Sequence, residues 1–395
     1  MLTSPHSRPS LRQDERGMAL AIALFAIIVI GALVAGTAFA GQMEMGGGRS
    51  AIAATQAVEQ AETGLADAFE NWDVNWNSLA VLGSSPYTTA TSPSGRDRYT
   101  RYVTRLGGVL YYVRTTGERL GAAGQILASR ELGQLAHMTV PNVEVDAAVE
   151  GMGDVRVGGS SSVSGFDTNP TGWGSCSGAL ADVAGVRASG EVQQNGTAQI
   201  LGAPSPTDPY VPNDTTVTPQ GFTDIYNALI GSVTKTLPAG NYNNMAPDTT
   251  LVDPGSVCLR SDDNNWGEPG DPAFPPIITQ CRSYLPVILF TGDTQINTGK
   301  GQGVILVQGD LRIQGTFIFD GIIMALGNID FHGTGGTSSR IYGALFSANS
   351  ADVGDLISIT GAPVITYSSC AVAAVLKAAG TGVPLARRGW VQIVQ

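Results

Sequence analysis

The chain has 395 residues, enough for two or three domains, and 51 of them are glycine while only 14% are charged. Ordinary globular chains carry about 25% charged residues and about 7% glycine, so this composition argues against a helical bundle and favours turn-rich β structure. The formal net charge of −11 argues against a nucleic-acid-binding protein, because phosphate recognition needs clustered Lys and Arg.

The first predicted element is a membrane-spanning helix. Residues 18–40 contain no charged side chain. At 1.5 Å per residue they form a helix of about 35 Å, which is long enough to cross a hydrocarbon core of about 30 Å. A basic leader, residues 1–17, precedes the helix with Arg8, Arg12 and Arg16. The positive-inside bias therefore predicts a cytoplasmic amino terminus and an external body.

A cleaved secretory signal is the alternative for the same segment. The tripeptide Ala38-Phe39-Ala40 fits the small-residue pattern of a signal peptidase site. The apolar run is longer than the 7–15 residues of an ordinary signal core, which favours a retained helix.

Residues 41–73 are predicted to continue this helix. The stretch after Gly46-Gly47-Gly48 is rich in Ala, Glu and Gln, which favour helix. Ile52, Val58, Leu65 and Phe69 form a narrow apolar stripe. We therefore expect a helix that loosens at the glycines and resumes as a thin amphipathic rod, packed on a small sheet or on copies of itself.

The segments ERGMALAIALF and QAVEQAETGLADAF, within residues 12–73, resemble the amino-terminal region of PilX-type minor pilins and related pseudopilins. The resemblance implies cleavage by a prepilin peptidase between Gly17 and Met18, followed by N-methylation. It also implies a bacterial inner-membrane location, with residues 18–40 either bundled in a fibre core or embedded in the lipid bilayer. The implied partners are other pilins or pseudopilins and inner-membrane assembly proteins.

The resemblance has one departure. Main pilins carry Glu at the fifth mature position, where it neutralises the amino group of a neighbouring subunit, whereas that position here is Ile22. An unpaired charge in an apolar bundle is costly. The departure therefore implies a tip or priming position, or a protein that is not packed in a filament.

Residues 74–139 are predicted to form a small pilin-like β-sheet. After a linker, residues 99–106 and 109–117 make two β-rich runs around Gly107-Gly108, which is a hairpin signal. Residues 125–140 supply a third strand. The arginines of this hairpin fit alternating solvent-facing positions, and a patch for anionic lipids or an acidic partner is the alternative.

An internal repeat begins beyond residue 140 and decides the predicted fold. Similar segments start at Val287, Val304 and Ile322, with looser copies at Ala344 and Gly153, and each contains a Gly-Asp or Gly-Asn pair or a close variant of it. Glycine, Asn and Asp tolerate the backbone of tight corners. Because one such rung cannot bury its own inner face, rungs must stack. The sequence therefore predicts an α+β, mainly β chain with a parallel β-helix, right-handed on general frequency, over residues 140–368.

The ends of this solenoid are expected to be covered. The 99–139 sheet is a candidate cover for the first rung, and residues 369–395 are predicted to form a capping helix over the last rung and a tail. Within 140–368, the segment 201–286 is predicted as an insertion containing a helix capped by Thr218 and begun by Pro219.

Four cysteines in an external chain are compatible with two disulfides. Cys258 and Cys281 bracket a polar loop that has no core of its own, which favours their pairing and leaves Cys176 to pair with Cys370. The sequence contains no Cys-x-x-Cys and its three histidines are scattered, which argues against a metal centre.

The polar loop contains oxygen-bearing side chains of the kind that Ca²⁺ binds, although their spacing is not that of an EF-hand. No cofactor is expected, with calcium at this loop as the one alternative. The side chains are those of Asp262, Asp263, Asn264, Asn265, Glu268 and Asp271.

Two functions from different classes fit these patterns. The first is a structural, non-enzymatic subunit of a type IV pilus or type II secretion-like apparatus, which displays its β-helix in the periplasm or on the cell surface for adhesion or assembly. The second is a membrane-tethered or secreted β-helix that binds or cleaves polysaccharide. The repeat aligns Asp293, Asp310 and Asn328, with Asp320 and Asp330 nearby. The corners themselves require such residues, however, and no Lys or Arg pair accompanies them to activate a substrate proton.

Overall fold

A computed structural model describes residues 15–173, 181–203, 208–252, 255–270, 277–333, 339–349, 355–385 and 390–393. Within these residues the chain is mainly β, with one long apolar helix, a small antiparallel sheet and a large parallel sheet that nearly closes on itself. The helices are α1 (Glu15–Glu70), α2 (Pro219–Ile230) and α3 (Ser369–Ala378), with short 3-10 helices at Val74–Ser78 and Thr279–Cys281.

The strands follow in chain order. The first eleven are β1 (Thr88–Thr91), β2 (Asp97–Arg105), β3 (Leu110–Leu120), β4 (Ile126–Thr139), β5 (Ala147–Gly151), β6 (Asp154–Val157), β7 (Ser162–Ser164), β8 (Ala184–Ala188), β9 (Val192–Gln194), β10 (Gln199–Leu201) and β11 (Tyr210–Val211). The next eight are β12 (Lys235–Leu237), β13 (Gly240–Met245), β14 (Thr249–Val252), β15 (Gly255–Cys258), β16 (Val287–Phe290), β17 (Thr294–Val307), β18 (Leu311–Gln314) and β19 (Phe317–Ala325). The last six are β20 (Ile329–His332), β21 (Arg340–Ser347), β22 (Asp355–Thr360), β23 (Val364–Tyr367), β24 (Thr381–Pro384) and β25 (Trp390–Ile393).

Helix α1 is continuous, so the expected loosening at Gly46-Gly47-Gly48 is not seen. Its buried face matches the predicted stripe only in part: Leu65 is buried and Phe69 packs on the same core, but Val58 is only half-buried. Ile52 is 61% exposed, whereas the buried positions are mainly small residues, Ala53, Ala57, Ala61, Gly64 and Ala68. Small side chains prevail because the sheet backbone comes close to the helix, and a longer side chain has no space there.

The closest approach between α1 and the small sheet is at Gly117 of β3. A Cβ atom on Gly117 would lie 2.1 Å from the carbonyl oxygen of Ala57 and 2.3 Å from the amide nitrogen of Ala61. Beside it, the buried hydroxyl of Thr115 donates to the carbonyl oxygen of Ala61 at 2.8 Å. At this point the backbones of the helix and the strand lie in direct contact, whereas larger side chains such as Leu65, Tyr111 and Val113 fill the interface elsewhere.

The small sheet has the order β1-β2-β3-β4-β24, with β25 also paired to β4. The predicted hairpin and third strand are confirmed as β2, β3 and β4, all antiparallel. The expectation that residues 369–395 form only a cap and a tail is wrong, because β24 and β25 return to this sheet and pair with β4. The free edge of β4 explains this return, since unpaired backbone groups there gain hydrogen bonds from the tail.

Among the residues that the structure describes, the large sheet has 17 strands, and its strand pairs are all parallel. Val287 pairs with Val304, Val304 with Ile322, and Ile322 with Ala344, which is the register that the repeat predicts. The looser early copy also aligns, because Val155 of β6 pairs with Ile357 of β22.

The order of the rungs in space differs from their order in the chain. The strand β5, which opens the first rung in sequence, lies in the middle of the stack, between β21 and β8. The chain then continues to β11 at one end and reappears at the other end as β12. The 99–139 sheet therefore does not cover this rung, whose edges are already hydrogen-bonded on both sides. The segment 201–286 also supplies strands to the stack, namely β10 in part, β11, β12 and β13.

The face formed by β16, β17, β19 and β21 is buried on both sides, which explains its uninterrupted apolar runs. Ile305 and Ile323 point into the stack, whereas Val304 and Ile322 point outward beneath α2 and α3. Half of each apolar run therefore lies inside the stack, and the other half lies beneath the helices. Helix α3 packs along this outer flank and does not lid an end, because its apolar residues cover the outward side chains.

Candidate functional site

Among the described residues, the amino-terminal part of α1 is a long exposed apolar surface. Every residue from Met18 to Ile52 is exposed except the half-buried Gly41, and Met18 and Ile22 are 66% and 64% exposed. The most apolar window of this helix has a mean hydropathy of 2.9 and no buried residue. At 1.5 Å per residue the exposed part is about 50 Å long, which exceeds the roughly 30 Å of a membrane core.

Helix α1 includes Gly17 and Met18, so the predicted cleavage bond lies inside the first turns of this helix. The first 14 residues lie outside the described part of the chain. Cleavage at this bond stays a prediction.

The predicted carboxylate ladder is present at the corners of the large sheet. The carboxylate of Asp293 accepts from the backbone amide of Asp310 at 2.9 Å, and that of Asp310 accepts from the amide of Asn328 at 2.7 Å. The early copy repeats the contact, with Asp154 accepting from Glu191 at 2.8 Å. Each corner carboxylate therefore holds the backbone of the next rung.

The glycine before each corner residue allows this contact. A Cβ atom on Gly309 would lie 2.2 Å from a carboxylate oxygen of Asp293, and one on Gly327 would lie 2.3 Å from that of Asp310. Stacking thus explains the Gly-Asp pair, because the glycine of one rung leaves space for the carboxylate of the rung before it. The corner carboxylates have a structural task, which weakens the argument for catalysis from their alignment.

A polar trough of about 670 Å³ runs beside these corners. Outward side chains of neighbouring rungs line it in columns, since Arg312 pairs in register with Asp330, and Asp330 with Ser358. The trough is lined by Gly240, Asn241, Asp293, Thr294, Gln295, Asp310, Leu311, Arg312, Asn328, Ile329, Asp330, His332 and Ser358.

A chain of polar contacts crosses the trough. His332 Nε2 lies 2.7 Å from a carboxylate oxygen of Asp330, and His332 Nδ1 lies 2.5 Å from the hydroxyl oxygen of Thr360. Arg312 Nε lies 3.6 Å from the other oxygen of Asp330. Sequence reasoning missed this chain, although the repeat places Gln314, His332 and Thr360 in one column and so contained the signal.

Asp320, considered near the ladder in sequence, lies elsewhere. It is 2% exposed, and burial raises the pKa of its carboxyl well above the usual range despite a hydrogen bond from Trp173. A second buried carboxylate, Glu268, forms an ion pair with Lys300 at 2.9 Å and accepts from the amide of Ile278 at 3.0 Å. Asp320 is not among the residues that line the trough.

The predicted Cys258–Cys281 disulfide is present. Cys176 lies outside the described part of the chain, so its pairing with Cys370 stays a prediction. The disulfide closes the polar loop around Asn265, whose buried amide donates to the carbonyl oxygens of Asp248 and Leu259.

The side chains considered for calcium serve different parts of this loop. Asn265 and Glu268 are buried, whereas the Asp263 side chain is 73% exposed. The carboxylate of Asp262 accepts from the backbone amide of Asn264 at 3.0 Å, and Asp271 lies outside the described residues. Among the residues that are described, no group of three or more His, Cys, Asp and Glu is arranged to hold a metal ion. Calcium binding stays the untested alternative to the expectation of no cofactor.

Several arginines of the small sheet are paired with acids. Arg98 pairs with Glu118, Arg101 with Asp67 on α1, and Arg119 with Asp97. The prediction of solvent-facing arginines therefore holds only in part, since the Arg98 side chain is 38% exposed, whereas that of Arg101 is 12% exposed and contacts α1.

Comparisons with family models, with curated proteins and with solved structures find no match for this chain.

Proposed function

We propose that this protein is a membrane-anchored structural subunit of the minor pilin or pseudopilin kind, held in the bacterial inner membrane by residues 18–40. The observation that carries the proposal is the change in environment along one unbroken helix. Residues 18–40 are uncharged and exposed, whereas from Ala53 onward one face of the helix is buried against the small sheet. A helix that is apolar where it is exposed needs lipid or other apolar helices around it.

The stacked rungs form the displayed head in this proposal. We infer that they are a right-handed parallel β-helix, whose fixed backbone presents loops and the trough to a partner. Ile22 stands where main pilins have Glu, which supports a tip or priming position. The proposed partners are other pilins or pseudopilins, inner-membrane assembly proteins and a prepilin peptidase.

Extraction of membranes at alkaline pH tests the anchor. The wild-type chain should stay in the membrane pellet, whereas the Ile28→Lys/Leu33→Lys variant should be released, because each charge near a helix centre costs about 2.5–3.5 kcal/mol on insertion. Ile52→Lys is the matched control, since Ile52 is similarly exposed on the same helix but lies beyond residue 40. Release of the wild type, or retention of the double variant, would contradict the anchor.

Polysaccharide binding by the trough is the second candidate function. The alternation of Arg312, Asp330, His332 and Ser358 in neighbouring rungs favours it, because hydrogen-bonding side chains in a concave surface are what a glycan chain requires. Binding is preferred to cleavage, since the corner carboxylates already accept backbone hydrogen bonds.

A glycan array comparing wild type with Arg312→Ala tests this second function. Signals that are present in wild type and lost in the variant support it. Signals unchanged by the variant, or none at all, remove it.

A further inference from the structure

A second concave site lies at the seam between the small sheet and the large sheet. It is a cleft of about 490 Å³, within the range of small-molecule sites. Five separate parts of the chain line it, namely residues between 72 and 78 after α1, 231–234 after α2, Arg260 in the disulfide loop, 283–286 after that loop, and the end of α3 with Thr381.

The charges in this cleft are unusual for so acidic a chain. Arg260 and Lys377 both line it, and among the described residues neither forms an ion pair with a carboxylate. Asp73 is the acid among the lining residues, and its carboxylate accepts from the amide of Asn75 at 2.9 Å. The lining residues therefore carry two cations against one carboxylate that already serves as a helix cap.

The two cations are held by rigid parts of the fold. The guanidinium carbon of Arg260 lies 5.3 Å from the ring centroid of Tyr284, and the hydroxyl of Tyr284 donates to the carbonyl oxygen of Arg260 at 3.3 Å. Arg260 follows Cys258 by two residues, so the disulfide fixes its backbone. Lys377 lies on α3, which is packed on the large sheet. Such positions reduce the entropy lost when a ligand binds.

The remaining lining residues suit a hydroxylated ligand. The hydroxyls of Ser283 and Thr381 make no hydrogen bond within the described part of the chain, and both face the cleft. Trp72 and Tyr284 supply aromatic surface. Aromatic surface, free hydroxyls and two cations together match a sugar ring that carries a carboxylate.

We propose that this cleft binds an acidic sugar, with Arg260 and Lys377 on the carboxylate. A uronic-acid disaccharide is of suitable size for the cleft. This site is distinct from the trough and does not depend on the proposed membrane or filament role.

Calorimetric titration of the full-length protein in a non-ionic detergent tests the proposal with three probes: digalacturonate, the neutral disaccharide maltose, and inorganic phosphate. We expect digalacturonate to bind, with an affinity that falls as salt is added, and maltose and phosphate to bind at least 10-fold more weakly. Arg260→Gln and Lys377→Gln should each weaken digalacturonate binding about 10-fold or more, since each removes a charge-assisted hydrogen bond.

Arg130→Gln is the matched control, because Arg130 lies on β4 away from the cleft and should leave the affinity unchanged. A thermal melt of each variant distinguishes lost binding from lost folding. Three results would each overturn the proposal: no binding of digalacturonate, binding that survives both cleft variants, and binding of maltose or phosphate as tight as that of digalacturonate.

Discussion

The side-chain amide of Asn77 donates to the carbonyl oxygen of Gly380 at 2.6 Å, across 303 positions of the chain. The same amide donates to Ala378 at 2.7 Å, and its oxygen accepts from the indole of Trp72 at 2.9 Å. One buried side chain therefore joins the end of α1 to the end of α3, and so joins the small sheet to the large one.

Replacing Asn77 by Asp should destabilise the protein more than replacing it by Ala. Ala leaves two carbonyl groups without a donor, and a buried unsatisfied group costs about 1–3 kcal/mol. Asp also leaves them without a donor and in addition places a negatively charged carboxylate against their oxygens. Denaturant unfolding of the two variants, with the exposed Asn75→Ala as control, measures the order. If Asn77→Asp were as stable as wild type, the hydrogen bonds of the Asn77 side chain would contribute nothing to stability.

Gly117→Ala should separate α1 from the small sheet. The added methyl group meets the backbone of Ala57 and Ala61, which cannot rotate away, so we expect a loss of about 2–3 kcal/mol in the free energy of unfolding. Gly108→Ala is the matched control, because nothing lies within 4 Å of a Cβ atom there. Similar melting temperatures for the two variants would contradict the close packing.

The corner ladder predicts different effects for two substitutions of Asp310. Asp310→Asn keeps an oxygen that accepts from the amide of Asn328 and should be nearly neutral. Asp310→Ala removes the acceptor and should cost about 1 kcal/mol. Equal losses in chemical denaturation would mean that the negative charge, and not the hydrogen bond, matters at this corner.

Glu150 predicts a pH dependence of stability. Burial raises the pKa of its carboxyl to about 7, against the lowering effect of Arg187 and with a further increase from Asp146 and Asp214. The folded state thus binds this proton more tightly than the unfolded state. The resulting stabilisation is complete below about pH 4.5, which is the ordinary pKa of a Glu carboxyl. It is lost as the pH rises through about 7, the pKa in the folded state.

Glu150→Gln removes this titration. The free energy of unfolding of the variant minus that of wild type should be roughly 1–3 kcal/mol larger at pH 8 than at pH 5. Melting temperatures of both proteins at the two pH values measure the difference. A wild-type-to-variant difference that is the same at pH 5 and pH 8 would contradict the raised pKa.

The sequence predicted local features of the large sheet better than its path. The repeat gave the register of Val287, Val304 and Ile322, because stacked rungs must match their apolar positions. The repeat did not predict that β5 lies between β21 and β8. That order depends on which strand edges pair after the chain returns along α2, and the repeat carries no information about this.

The helix and the sites show the same limit. A stripe of large apolar residues led to Ile52, although close backbone approach selects Ala and Gly instead. The seam cleft was not predictable, because Arg260 and Lys377 are more than 100 residues apart in sequence and are brought together only by long-range packing.

The mature amino terminus tests the central claim most directly. Intact mass and terminal sequencing of the protein, purified from membranes of cells with and without a prepilin peptidase, would identify it. The account predicts a chain that begins at N-methylated Met18, shorter by the first 17 residues when the peptidase is present, and still membrane-bound. A soluble chain that begins at Gly41 would contradict the anchor and the subunit role together.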